Sequence, residues 1–267
     1  MSRGSLKRRI LNKIFKYKLN MFDCIKSLFS FMDPFYKVTK EDDNIILTPK
    51  DENYHINSVL IFLHGLGDTA ESYVSTFQSS SRPVPKTTKV ILPTAPIIPM
   101  TMSAGMEMHS WYDIKGFTSE TDVSEEDVMN NTKKIIKMIH KEAKLLEGKY
   151  DQIFVGGFSQ GACIALSAGL NCKENIGGVV ALSGVLFPFC TKDVDVKKKK
   201  ELFMYLGHGS NDEVINVNLA KMSYEYFTTN KFDNVKYTEF EMGHTICAQE
   251  LNEVNDFIYM NAIKHYI

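Results

Sequence analysis

The sequence contains no run of about 18 uninterrupted apolar residues, the length a membrane-spanning helix needs, so no spanning helix is expected. It also lacks the clean apolar stretch of a secretory signal, because Lys13, Lys16 and Lys18 break the segment after Arg9. Cysteine is scarce: Cys24, Cys163, Cys172, Cys190 and Cys247 make an odd count, and no pair has C-x-x-C spacing. That argues against a disulfide framework and against a structural zinc site, and it suits reduced thiols in a cytoplasmic protein. No internal repeat is present. The body of the chain has no basic excess, so nucleic acid is not an expected partner.

The charge that is present is unevenly placed. Residues 1–40 carry ten basic and two acidic side chains, against 21 basic and 30 acidic in the rest. The first 40 residues therefore read as a basic extension, and residues 41–267 as one catalytic-sized domain. Within the extension, residues 5–29 have an amphipathic helical pattern: Leu6, Ile10, Ile14, Leu19, Phe22 and Ile25 recur at helical steps, with basic residues between. Three readings stay open for residues 1–30: peripheral contact with an anionic membrane, organellar transit, or a frayed terminus.

Beyond residue 41, short apolar runs alternate with helical stretches. The runs are 58–63, 89–92, 152–155, 178–182, 202–206 and 235–240. Most are nearly continuous in Val, Ile, Leu and Phe, as strands buried on both faces should be. The clearest helix spans 125–147. It has Ser124 as N-cap, three acids in its first turn, a stripe of Val128, Ile135, Ile139, Ala143 and Leu146, and Gly148 after its end. The alternation predicts an α/β fold: a mostly parallel central sheet with helices on both faces. Lys197–Lys200 is expected in a solvated loop.

Four segments carry chemistry. Gly157-Phe158-Ser159-Gln160-Gly161 follows a strand and precedes a helix, the setting of a nucleophile elbow. The G-x-S-x-G pattern alone arises by chance in about one chain in ten of this length, so the flanking elements matter. A serine nucleophile needs a base, and the base needs an orienting acid. His244 lies in a loop just after the run ending at Phe240 and is the candidate base. His208 competes for that role, and His265 lies near the chain end. Asp212 is the candidate acid, with Glu213 beside it as the alternative. The oxyanion of the tetrahedral intermediate needs two backbone N–H donors. Gln160, after the nucleophile, supplies one candidate, and Leu66, in the glycine-rich His64-Gly65-Leu66-Gly67-Asp68 loop, supplies the other. All four segments follow strands directly, so the topology puts them on one edge of the sheet, where open α/β sheets bind ligands.

Taken together, Leu63–Asp68, Gly157–Gly161, His208-Gly209-x-x-Asp212 and Gly243-His244 resemble the acyl-protein thioesterase and lysophospholipase family of the α/β-hydrolase superfamily. Pro93–Pro96 and Ser110–Asp113 are similar to that family's segments too. The resemblance covers residues 45–265. It implies a lidless α/β-hydrolase domain, hydrolysis of fatty-acyl thioesters or oxyesters, S-acylated proteins or lysophospholipids as substrates, and neither metal nor organic cofactor. It departs at Glu213, where the family often has proline, and at Ala162, where it often has glycine. It also implies that the segment 97–117 flanks the site. That segment holds Met100, Met102, Met106, Met108 and the single Trp111. Trp111, Met106 and Met108 are the candidate substrate-binding residues, with ordinary packing beneath a long loop as the other reading.

Overall fold

The computed structural model describes residues 35–79, 81–116 and 122–263. The helical pattern at 5–29, Cys24 and His265 lie outside them. Eight strands form the main sheet: β1 (Tyr36–Glu41), β2 (Asn44–Pro49), β3 (Ser58–Leu63), β4 (Thr88–Pro93), β7 (Ile153–Phe158), β8 (Gly178–Leu182), β9 (Met204–Gly209) and β10 (Val235–Phe240). Their order is β1-β2-β4-β3-β7-β8-β9-β10. The pairs from β4 through β10 are parallel, and β1–β2 and β2–β4 are antiparallel. A separate hairpin joins β5 (Ile97–Met100) to β6 (Met106–His109).

Among the described residues, six α-helices accompany the strands: α1 (Glu71–Gln78), α2 (Glu125–Leu145), α3 (Gln160–Asn171), α4 (Val196–Lys199), α5 (Val217–Thr229) and α6 (Ala248–Ile263). The period of two along each strand divides the core. Val59, Ile61, Leu63, Ile153, Val155, Val179, Ala181, Met204 and Leu206 face α2, α3 and α5. Leu60, Phe62, Phe154, Val180, Leu182 and Tyr205 face α1 and α6. Every residue of β3, β7, β8 and β9 is buried, which is why these runs are continuously apolar. The fold class is thus the one expected: a mostly parallel sheet covered on both faces.

Helix α2 starts as its sequence implies. The Ser124 side chain accepts from the Asp127 N–H at 3.2 Å, and three acids follow in the first turn. Val128, Ile135, Ile139 and Ala143 are buried, while Leu146 is half-buried. At the other end Gly148, with φ of 85°, donates its N–H to the Ala143 carbonyl. An ion pair from Lys89 on β4 to the buried Glu142 carboxylate, 2.8 Å long, ties this helix to the sheet.

Several features differ from the sequence reading, among them strand β2 (Asn44–Pro49), which none of the expected apolar runs covered. Strand β1 begins at Tyr36, so the end of the basic stretch pairs into the sheet. Tyr36 is buried and its hydroxyl donates to the Thr88 carbonyl, while the charged residues that follow face solvent along an edge strand. The segment 97–117 is not a plain loop, since it contains the β5–β6 hairpin. The Lys197–Lys200 run is not wholly solvated either. It forms α4, which turns Lys199 inward to donate to the Glu174 carbonyl at 2.8 Å. Burial pulls the Lys199 pKa below the usual lysine range.

Candidate active site

Ser159 sits at the turn between β7 and α3 with φ 55° and ψ −118°. For a non-glycine residue this is a strained conformation, costing about 1–3 kcal/mol, of the kind that concentrates at functional sites. It is held by its neighbours: the Ser159 N–H donates to Leu182 O at 2.8 Å, and its carbonyl accepts from Ala162 N at 3.0 Å. Glycines make room for the turn. A Cβ on Gly157 would lie 2.5 Å from the Gly161 carbonyl carbon, and one on Gly161 would lie 2.4 Å from Leu63 O. Neither position tolerates a side chain without backbone movement.

The carboxyl ends of the strands bring three side chains together. His244 Nε2 lies 2.8 Å from Ser159 Oγ. Its Nδ1 lies 2.7 Å from Asp212 Oδ2. The carboxylate fixes the tautomer: Nδ1 donates to Asp212, leaving Nε2 to accept from the serine hydroxyl. Asp212 Oδ1 accepts from the N–H groups of Val214 and Ile215, both at 2.8 Å. Burial works to raise the Asp212 pKa, but the bonds from His208, His244 and the Ile215 backbone outweigh it and hold the carboxyl well below the usual range. The Phe158 ring packs against His244 with centroids 4.8 Å apart.

Of the competing candidates, Glu213 is exposed and Asp212 is the acid facing His244. His208 approaches the same carboxylate oxygen as His244 from a greater distance: its Nε2 is 2.9 Å from Ile215 O and 3.3 Å from Asp212 Oδ2. The order Ser, Asp, His along the chain is that of the α/β-hydrolase triad.

The glycine-rich loop after β3 lies against the elbow. A Cβ on Gly65 would be 3.2 Å from the Phe158 ring and 3.5 Å from Ser159 Cβ. His64 is buried and locked, its Nδ1 donating to Gly65 O and its Nε2 accepting from Ala95 N. The loop is pinned further by Gly67 N donating to His109 O at 2.8 Å and by Asp68 accepting from Thr69 N and Ser72 Oγ. Among the described residues, neither Leu66 N–H nor Gln160 N–H has an acceptor. Both remain available to a ligand.

Sequence reasoning assigned Gln160 only its backbone N–H. The side chain also bridges to a neighbouring segment. Its Nε2 donates to Ser110 Oγ and Tyr112 O, and its Oε1 accepts from Trp111 N at 2.7 Å. These bonds clamp residues 110–112 beside the nucleophile. The three substrate-binding candidates separate. Trp111 is buried in the core, its Nε1–H donating to His64 O at 2.8 Å, so it supports the loop from beneath. Met108 is half-buried, with its sulfur 3.9 Å from where a Cβ on Gly67 would stand, and Met106 is exposed on the hairpin.

The sequence matches the Phospholipase/Carboxylesterase family over residues 43–262. It is 33% identical over 213 residues to an acyl-protein thioesterase 1 of Neurospora crassa, covering 75% of this chain and 85% of the relative. It is 32% identical over 205 residues to the acyl-protein thioesterase 1 homolog 1 of Dictyostelium discoideum, covering 76% and 89%. The crystal structure of Zea mays acyl-protein thioesterase 2 shares the fold with a TM-score of 0.66 at 24% identity, covering 82% of this chain and 98% of that one.

Proposed function

The chain belongs to the phospholipase/carboxylesterase family of α/β-hydrolases, and from that premise we propose that it is a serine hydrolase that removes fatty-acyl groups, palmitoyl above all, from S-acylated proteins. The observation that carries the reading is the continuous hydrogen-bonded line from Ser159 through His244 to Asp212, with two free N–H groups beside it. Relatives named as acyl-protein thioesterases support the thioester as the bond attacked.

In this reading Ser159 Oγ attacks the thioester carbonyl while His244 Nε2 takes its proton. The carbonyl oxygen becomes an oxyanion and receives the N–H groups of Leu66 and Gln160. Asp212 stabilises the imidazolium and keeps its orientation. As the tetrahedral intermediate collapses, the carbon–sulfur bond breaks and His244 returns the proton to the leaving thiolate. Water, deprotonated by His244, then attacks the acyl-serine. Collapse releases the fatty acid, and the proton passes back to Ser159. Met108 and Met106 line the approach for the acyl chain, where flexible thioethers adapt to varied apolar guests. The basic excess of residues 1–40 supports peripheral contact of residues 1–30 with an anionic membrane, with organellar transit and a frayed terminus as the other readings.

The family's name keeps one second reading in place, a lysophospholipase or short-chain carboxylesterase. The test is side-by-side hydrolysis of a palmitoylated peptide thioester, a lysophosphatidylcholine and a short nitrophenyl ester, with Ser159→Ala as control. Serine-dependent turnover led by the thioester is expected. Turnover led by the lysolipid would move the protein to lipid metabolism.

A further inference from the structure

Away from Ser159, a second cluster of chemically capable side chains forms where α2, the end of α3 and the turn into β8 converge. His140 comes from α2, Cys172 caps α3, and Glu174 follows in the turn. Their ligand atoms, Nδ1, Sγ and a carboxylate oxygen, all lie within 4.8 Å of one another. His140 Nδ1 is 3.9 Å from Glu174 Oε2, and Cys172 Sγ is 3.8 Å from the same oxygen. A tetrahedral zinc ion with bonds of about 2.0–2.3 Å would set such ligands about 3.3–3.6 Å apart. These two separations need to close by about 0.2–0.6 Å, and the one between His140 Nδ1 and Cys172 Sγ, which lies within 4.8 Å, by at most about 1.3 Å.

We propose that His140, Cys172 and Glu174 form a zinc-binding site with a fourth position open to water. Imidazole, thiolate and carboxylate on one metal favour zinc over magnesium or calcium, which take oxygen ligands. The scaffold is firm, because α2 and α3 pack on each other and Cys172 is buried while His140 and Glu174 reach the surface. The metal thus has an entry path and a buried soft ligand. Two neighbours must be accommodated. The Tyr150 hydroxyl, 2.8 Å from His140 Nδ1, would yield that nitrogen to the metal. The Lys199 ammonium, bound to Glu174 O and Asn175 Oδ1, stays on the backbone side of the turn. Its charge opposes an incoming cation but favours the thiolate that the metal requires.

The position separates this site from the proposed chemistry. Tyr150 precedes β7 and the Glu174 turn precedes β8, so the cluster lies beyond the amino ends of these strands, whereas Ser159 follows the carboxyl end of β7. The closely spaced thiols of a zinc motif are absent from the sequence; here the fold assembles ligands from three segments.

The test is cobalt(II) absorption and zinc calorimetry on the full chain, with Cys172→Ser, His140→Gln and His244→Ala. One zinc per chain is expected, together with a thiolate-to-cobalt charge-transfer band in the near ultraviolet. Loss of an outer-shell partner alone weakens metal binding by about 10–100-fold, so Cys172→Ser and His140→Gln should each weaken zinc at least tenfold. Cys172→Ser should abolish the band, His244→Ala should leave it, and ester hydrolysis by the metal-free Cys172→Ser and His140→Gln proteins should be unchanged. His140 is partly exposed, so His140→Gln keeps the test available if the serine variant misfolds. The proposal is overturned if the wild type shows no thiolate band, if the band survives Cys172→Ser or vanishes in His244→Ala, or if zinc affinity is unaltered in His140→Gln.

Discussion

Glu250, in the first turn of α6, is fully buried beside Gly207 and Tyr205. Burial pushes its carboxyl up to about 8, and the nearby charge of Glu253 adds to this. A raised carboxylate pKa favours the neutral form in the folded chain. The stability that Glu250 contributes is therefore fully present below its unfolded value of about 4.3 and is lost as the pH climbs toward 8. Glu250→Gln should match the wild type in melting temperature near pH 4.5 and exceed it at pH 9, and equal melting at both would contradict the assignment. Asp212 has the opposite sign. Its pKa is depressed, so the stability it contributes is present above the unfolded value of about 3.9 and is lost as the pH falls below that. Asp212→Asn should lower kcat on the order of ten-thousandfold, because His244 would be held in the wrong tautomer. It should also flatten the acid limb of the stability profile, which urea midpoints between pH 2 and 5 would show. The convergence of Ser159, Asp212 and His244 was legible because each follows a strand in a short motif. The side-chain clamp of Gln160 and the burial of Trp111 were not, since they depend on contacts about 50 residues apart in sequence.

One tight junction between elements is where the start of α3 meets the end of β3. Gly161→Ala would force a Cβ against Leu63 O, a backbone atom that cannot rotate away. Overpacking of this kind costs about 1–3 kcal/mol, and relief would tilt α3 and misplace Ser159. The expected result is a lower urea midpoint together with reduced kcat; loss of neither would mean that the junction is looser than described. Long buried strands and α2 could be read from their periods to within a few residues. The β5–β6 hairpin could not, because four-residue strands leave too little pattern to distinguish from a loop. Strand β1 was hidden by charge, since an edge strand is covered along one edge only and its exposed Lys37, Lys40 and Glu41 resemble the basic stretch before it. Lys199 escaped for a related reason: composition announces a charged run but not which member turns inward.

Across the molecule, the strands carry Ser159, Asp212 and His244 to one edge of the sheet and leave the opposite edge to the His140–Cys172–Glu174 cluster. No helix among the described residues is long and apolar enough to cross a membrane. If residues 1–30 contact anionic lipid, their deletion should lower co-sedimentation with phosphatidylserine vesicles, steeply at low salt, and leave hydrolysis of a soluble nitrophenyl ester unchanged. Equal sedimentation would show that the segment makes no such contact. The role of Ser159 as nucleophile is tested most directly by mass spectrometry of the chain after brief exposure to a fluorophosphonate probe. One adduct is expected, on the peptide containing Ser159, lost in Ser159→Ala and strongly slowed in His244→Ala. An adduct on another residue, or no adduct on a folded chain, would contradict that role.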